Sequence, residues 1–338
     1  MPGERGMMGG GGGRRRWSGV VVALAAASGA ALLPIAPVAA RASRSGTADV
    51  AYAASLALVN DTQVGPAFTR ASGYAYQGRA GESDALVQEI RSGEIAPNVL
   101  MTVGGAPIAT VEPRFTRWYV ELAASPIVIA YNPRSRYAAA LGAIARGAQP
   151  IAQLFRLLAR PGFLLGRTDP ETDPQGQAFV LMLELAQQRF HLPPGTSVAD
   201  LGGRHPQAQI FAEASLEARL QAGQLDAASA FRSQAVQLHL PFITLPAAID
   251  FGNPADAVLY HRASLRLADG TVVRGAPLVI DITVLRGRDQ AAAVGFVRYV
   301  LSGPGRALYR RAGYTLLPER IVGDRAAAPA AVRAVAGG

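Results

Sequence analysis

The sequence contains no cysteine, and because no Lys occurs either, all 33 of its basic residues are Arg. The first absence excludes disulfides, thiolate metal sites and a lipid-modified N-terminal Cys. The second is a compositional bias, so the net charge of +9 is poor evidence for nucleic acid. No basic stripe with interleaved aromatics supports that partner either. Charged residues make up only 17% of the chain and aromatics 7%. No GxSxG, HExxH or P-loop pattern occurs, and Gly9 to Gly13 lies in the leader. His191, His205, His239 and His261 stand without metal-ligand spacing, which suits solvated or capping roles. A secreted hydrolase lacks its constellation here, and neither a resident metal nor a cofactor is expected. What remains is a chain of 338 residues that is 50% hydrophobic, enough for a large core and more than one domain.

Arg14, Arg15 and Arg16 precede an uncharged run from Val20 to Ala40, with the small residues Val38 and Ala40 just before Arg41. This reads as a secretory signal peptide over 1–40, cut near Ala40 or Ala42. The run is also long enough to span a membrane, but Pro34 and Pro37 near its end favour cleavage. Arg14 to Trp17 is a faint trace of a twin-Arg signal, so the export route, general or twin-Arg, stays open.

After the leader, short apolar strands alternate with helices. Asp49 to Ala53 is a strand, Leu56 to about Arg70 a helical stretch, and Tyr74 to Gln77 a second strand. Gly81-Glu82-Ser83-Asp84 then opens a helix in which Leu86 and Ile90 stand four apart, followed by the strand Val99 to Val103. The pattern is an α/β unit with parallel strands, whose ligands sit beyond the carboxyl ends of the strands, where Ser55 and Ser83 fall. Further on, a hairpin about Asp269-Gly270, a strong strand over Pro277 to Leu285 and two helices, Ala291 to Leu301 and Pro304 to Ala312, are expected. His191 to His205 reads as a surface loop, and the Ala-rich residues from Asp324 as a frayed tail.

The stretch Leu165 to Leu185 is the most informative. Asp173 and Pro174 form an N-cap and N1 pair opening a helix that Gln175 to Phe190 continue. Such a start concentrates unpaired N–H groups and the positive end of the helix dipole, which suits an anion. Capping alone explains Asp173 equally well, as it does Ser55 and Ser83.

Six motifs in one order resemble the periplasmic substrate-binding proteins of molybdate and tungstate ABC transporters, the branch with a DPxGY motif. They are VAYAASL at Val50 to Leu56, GESDALVQEI at Gly81 to Ile90, WYVELAASPIVIAYNPRS at Trp118 to Ser135, PGFLLGRTDPETDPQG at Pro161 to Gly176, AGQLDAASAFRSQAV at Ala222 to Val236, and APLVIDITVL at Ala276 to Leu285. The resemblance implies a two-lobed periplasmic-binding-protein fold of type II. Lobe one would be 49–125 plus 283–320, lobe two 126–282, the hinge strands Pro126 to Tyr131 and Pro277 to Ile282, and 321–338 a flexible tail. It implies a non-enzymatic, monomeric, periplasmic protein that captures molybdate or tungstate for an ABC permease. By position, the oxyanion contacts fall on Ala54, Ser55, Ser83, Asp173, Pro174 and Gln175. Hydroxyls and helix N–H groups can share the charge of a dianion without an Arg.

The chain departs from that pattern at three places. The family's Tyr after DPxG is Gln177, and Ala230-Phe231 stands where relatives place an acidic or phenolic ligand, so expanded octahedral coordination is not expected. Glu82 would repel a dianion if it faced the cleft. An organic anion in the same fold is therefore the alternative ligand.

Overall fold

The computed structural model describes residues 44–192, 201 and 207–336. The expected leader and most of the expected 191–205 loop lie outside them.

Two sheets carry the architecture. The larger has six strands in the order β12-β4-β11-β3-β1-β2. These are β1 (Thr47–Ala53), β2 (Ala75–Gly81), β3 (Val99–Val103), β4 (Trp118–Ala124), β11 (Val279–Val284) and β12 (Thr315–Gly323). The smaller has four, in the order β6-β7-β5-β8, from β5 (Ile127–Tyr131), β6 (Leu165–Gly166), β7 (Ala227–Phe231) and β8 (Phe242–Thr244). A hairpin of β9 (Ser264–Arg266) and β10 (Val272–Arg274) stands apart, turned about Asp269-Gly270 as expected.

β1 runs parallel to both β2 and β3, as the alternating pattern implies, but β11 pairs antiparallel with β3 and β4, so the large sheet is mixed. Its central strands β3 and β11 are buried at every position because both faces are covered. Val50, Tyr52, Val99 and Met101 pack on one face with Phe68 and Phe296. Ala51 and Leu100 pack on the other with Leu86, Ile90 and Ile108 from the Ser83–Ser92 and Gly105–Val111 helices.

The chain leaves the large sheet at Ser125-Pro126 and returns at Pro277-Leu278. The two crossings lie side by side, since Ser125 N–H donates to the Leu278 carbonyl at 3.1 Å. The segments expected as hinge strands are thus mostly strands of the sheets themselves. β5 belongs to the small sheet, and β11 joins the large one from Val279, four residues before the expected boundary.

The C-terminal expectation is corrected. Thr315–Gly323 is a nine-residue strand, antiparallel to β4 across a register shift between Leu316 and Arg320. Arg320 grips Glu121 with two nitrogens, at 2.6 and 2.7 Å. Beyond it Asp324 caps a turn by accepting from Ala326 N–H, and the Ala330–Arg333 helix packs on the Gln290–Leu301 helix with Val332 fully buried beside Ala328 and Ala336. Small side chains let this segment approach the core closely, an effect that composition alone does not reveal.

Val332→Asp would bury an unpaired carboxyl at a cost of several kcal/mol. It is expected to lower the thermal unfolding midpoint by at least about 5 °C. An unchanged midpoint would mean that the terminal helix is not part of the core.

Candidate functional site

The candidate site lies where β1 and β2 end. After Ala53 the chain makes one 3-10 turn, Ala54–Leu56, and after Gly81 the extended Glu82 leads into the Ser83–Ser92 helix. Neither start has a side-chain cap, so their first N–H groups are not taken up by the protein's own side chains. Ser55 is 5% exposed, and its hydroxyl has no hydrogen-bond partner among the described residues. Its carbonyl accepts from the Tyr314 hydroxyl at 3.0 Å, which pins the turn. Ser83 is buried, and its hydroxyl accepts only a long bond, 3.4 Å, from Val103 N–H. Ala54 is half-buried beside them.

The small sheet contributes the Pro174–Phe190 helix. Asp173 caps it as the sequence implies, with extended backbone and its Oδ1 accepting Gln175 N–H at 2.7 Å. Gly176 is required by close approach, because a Cβ there would lie 2.5 Å from the Thr168 carbonyl oxygen. This helix start therefore differs from the two on the large sheet. Pro174 has no N–H, and Asp173 occupies the donors of Gln175 and Gly176. Gln175 faces inward as well. Its Oε1 accepts from Ser229 Oγ at 3.0 Å, and its Nε2 donates to Glu213 Oε1 at 3.2 Å and Gln234 Oε1 at 3.1 Å. Gln234 Nε2 donates to the same Glu213 oxygen at 2.5 Å, and Phe231 N–H donates to Gln234 Oε1 at 3.0 Å.

Glu213, Gln234 and Ser229 were not singled out by sequence reasoning. Glu213 opens the Glu213–Gln221 helix, where an acidic residue reads as ordinary dipole compensation. Its partners Gln175 and Gln234 lie 38 and 21 positions away. Ala230 and Phe231 are buried in and at the end of β7 and offer a ligand neither a donor nor a charge.

The electrostatics of this cluster are one-sided. Burial pushes the Asp173 carboxyl up to about 7, against the pull of Gln175 N–H, with Glu82 adding repulsion. Burial raises Glu213 well above the carboxylate range, and Asp173 and Glu217 push it further. Burial takes Glu217 up to about 7. Glu82, the extended residue before the Ser83–Ser92 helix, adds repulsion to both Asp173 and Glu213. A cavity of about 710 Å³ adjoins this region, bounded by Asp84, Gln88, Pro174, Gln177, Leu267 and Leu278. Gln177, where the DPxGY pattern has Tyr, opens onto it.

Two α/β units joined by paired crossovers, with helix starts of both converging on one polar cleft, make this a two-lobed periplasmic-binding-protein fold. The periplasmic molybdate-binding protein of Azotobacter vinelandii shares it at a TM-score of 0.56 and 15% identity, over 79% of this chain and 99% of that one. The substrate-binding domain of a provisionally named molybdenum ABC transporter from Clostridium difficile does so at a TM-score of 0.51 and 13% identity, over 81% and 100%. Residues 48–315 match the bacterial extracellular solute-binding protein family, and the chain belongs to that family. A relative from Haloferax volcanii, provisionally named as an ABC transporter molybdenum-binding protein, is 38% identical over 176 residues, 52% of this chain and 53% of that protein. The chain thus spans about half the length of that relative. The molybdate/tungstate-binding protein WtpA of Pyrococcus abyssi is 28% identical over 59% of this chain and 62% of that one.

The raised carboxyls set a sign for stability. Their unfolded values lie near 4, so between about pH 4 and 7 the folded protein holds more protons than the unfolded chain. That contribution is complete below the unfolded value and is lost as pH rises through the folded one. The ligand-free unfolding midpoint is expected to fall between pH 5 and pH 8, and Glu213→Gln to shrink the fall. A midpoint flat across that range would show the carboxyls to be ordinary.

Proposed function

We propose that this protein captures a tetrahedral oxyanion, molybdate or tungstate, outside the cytoplasm and hands it to the permease of an ABC importer, with no chemistry of its own. The observation that carries this reading is the buried Ser55 hydroxyl, without a hydrogen-bond partner among the described residues, beside two helix starts without side-chain caps. Such a set of oriented N–H and O–H donors solvates a compact anion without a cation. The names of the relatives from Haloferax volcanii and Pyrococcus abyssi support the choice of ligand. In this reading residues 1–40 are a cleaved leader, the mature chain works as a periplasmic monomer, and the lobes are 44–125 with 279–336 and 126–278.

The direct contacts are Ser55, Ser83 and the N–H groups that follow Ala53 and Glu82. Asp173 and Gln175 border the anion from the other lobe, Asp173 by holding the Pro174 helix start and Gln175 through its amide network. The cavity beside Gln177 favours a second reading, in which the anion is the head of an organic molecule whose body fills that space. Native mass spectrometry of the protein as purified separates the two by the mass of any retained ligand.

A thermal-shift titration of the chain from Arg41 tests the main reading. Molybdate or tungstate at micromolar levels is expected to raise the unfolding midpoint, since a ligand of the folded state alone stabilises by mass action. No shift with any inorganic oxyanion would overturn it. Ser55→Ala with Ser83→Ala removes two hydrogen bonds to a charged ligand, each worth roughly 1.5–3 kcal/mol. The pair is expected to weaken binding about 100-fold or more with little change in the ligand-free midpoint. Unchanged affinity would place the anion elsewhere.

A further inference from the structure

A dianion held beside ionised Asp173 and Glu213, which are both buried, would meet strong repulsion. We propose that Glu213 is a ligand-binding residue in its acid form: it holds a proton and donates it as an O–H hydrogen bond to an oxygen of the bound anion. This rests on the oxyanion reading above and adds a residue and a proton to it.

The geometry fixes which oxygen carries the proton. Glu213 Oε1 accepts two amide N–H bonds, from Gln175 and Gln234, and so is the carbonyl-like oxygen of the acid. Both amides are themselves held, Gln175 by Ser229 and Gln234 by Phe231 N–H, which leaves neither free to turn its oxygen towards Glu213. The second oxygen makes no hydrogen bond among the described residues and is where the proton must sit. The Glu213–Gln221 helix packs against the Ala54–Leu56 turn, which carries the buried Ser55, whose hydroxyl has no hydrogen-bond partner among the described residues. The helix that Glu213 opens and the turn that carries Ser55 are thus neighbours across the two lobes.

Among the described residues, the acids that act on Glu213 are Asp173 from the Pro174 helix start, Glu217 one turn along its own helix, Glu82 from the other lobe and the Tyr314 phenol; the cation Arg167 is fully buried on the segment bridged to Ile210, three residues before Glu213. Each ionisation among these acids, and the arrival of the anion, strengthens the hold of Glu213 on its proton. The linkage is reciprocal: if the anion raises proton affinity, the proton raises anion affinity. No covalent step is involved, and the proton comes from solvent.

The test is the Kd for molybdate from pH 6 to pH 9.5, where molybdate itself stays a dianion, measured by isothermal titration on the chain from Arg41. For the native protein the affinity is expected to be level at the acid end and to weaken by up to about tenfold per pH unit at the alkaline end. On the alkaline limb, titrations in two buffers of different ionisation heat are expected to show close to one proton taken up per anion. Glu213→Gln, neutral at every pH, is expected to bind at the alkaline end and to lose both the slope and the proton uptake. Binding with a flat native profile and no uptake overturns the proposal while leaving the oxyanion reading intact. A native slope that survives unchanged in Glu213→Gln but vanishes in Asp173→Asn assigns the proton to Asp173 and overturns it equally. No heat with any oxyanion at any pH overturns the functional reading, and this proposal with it. Because the native titration alone can decide, misfolding of a variant does not shelter the idea.

Discussion

One oxygen of Glu213 accepts the amide protons of two glutamines, and the geometry of the cleft depends on that arrangement. Gln175 sits in the first turn of the helix that Asp173 caps, and Gln234 closes the turn after β7. Ser229 on β7 holds the far end of Gln175. Three segments that meet only in space are fixed to a common centre by hydrogen bonds among buried side chains. A network of this kind rigidifies because each missing bond would leave a desolvated group unpaired. An ionised Glu213 at its centre would carry a buried charge with carboxyls for neighbours, whereas a neutral acid matches the amides around it.

Local rules made part of this legible in the sequence, and long-range pairing hid the rest. Asp173-Pro174 reads as a helix start because an N-cap acid and an N1 proline act within three residues, and the structure agrees. Ser55 and Ser83 fall after β1 and β2 because a strand ending in a small polar residue is likewise local. Glu213 could not be found that way, since nothing at its own position marks it apart from a helix-start acid. β12 and the terminal helix failed for a related reason. Thr315–Gly323 has charges at Glu319 and Arg320, which look like a surface segment until Arg320 meets Glu121, 199 positions earlier. The Ala-rich end lacks large apolar side chains, so its packing on the Gln290–Leu301 helix rests on close approach.

Net charge and local charge point in opposite directions here. The chain carries +9, yet the described residues place acids at the cleft and set Arg such as Arg320 against partners elsewhere. A field summed over scattered surface Arg favours approach of an anion from a distance, within a screening length of about 8 Å at physiological salt. It does nothing for the last few ångströms, where Glu82, Asp173 and Glu213 dominate. On the proposed oxyanion reading, binding would then be decided by oriented donors and by protons.

The two lobes divide those roles. The large-sheet lobe offers helix N–H groups and serine hydroxyls, which donate at any pH. The small-sheet lobe offers an N-terminus that Asp173 has closed on itself, and an acid whose ability to donate depends on its proton. Because the crossings at Ser125 and Leu278 lie together, a ligand touching both lobes couples its binding to their approach. The protonation state of Glu213 then sorts ligands by their own protons. As an acid it complements an oxyanion that has none left, such as molybdate. As a carboxylate it would instead accept from an anion that keeps one, as hydrogen phosphate does, and repel the fully ionised ligand. A buried polar group left without its complement costs far more than a missing methyl group. On the proposed role of Glu213, discrimination in this cleft between oxyanions of similar size would therefore fall to one proton.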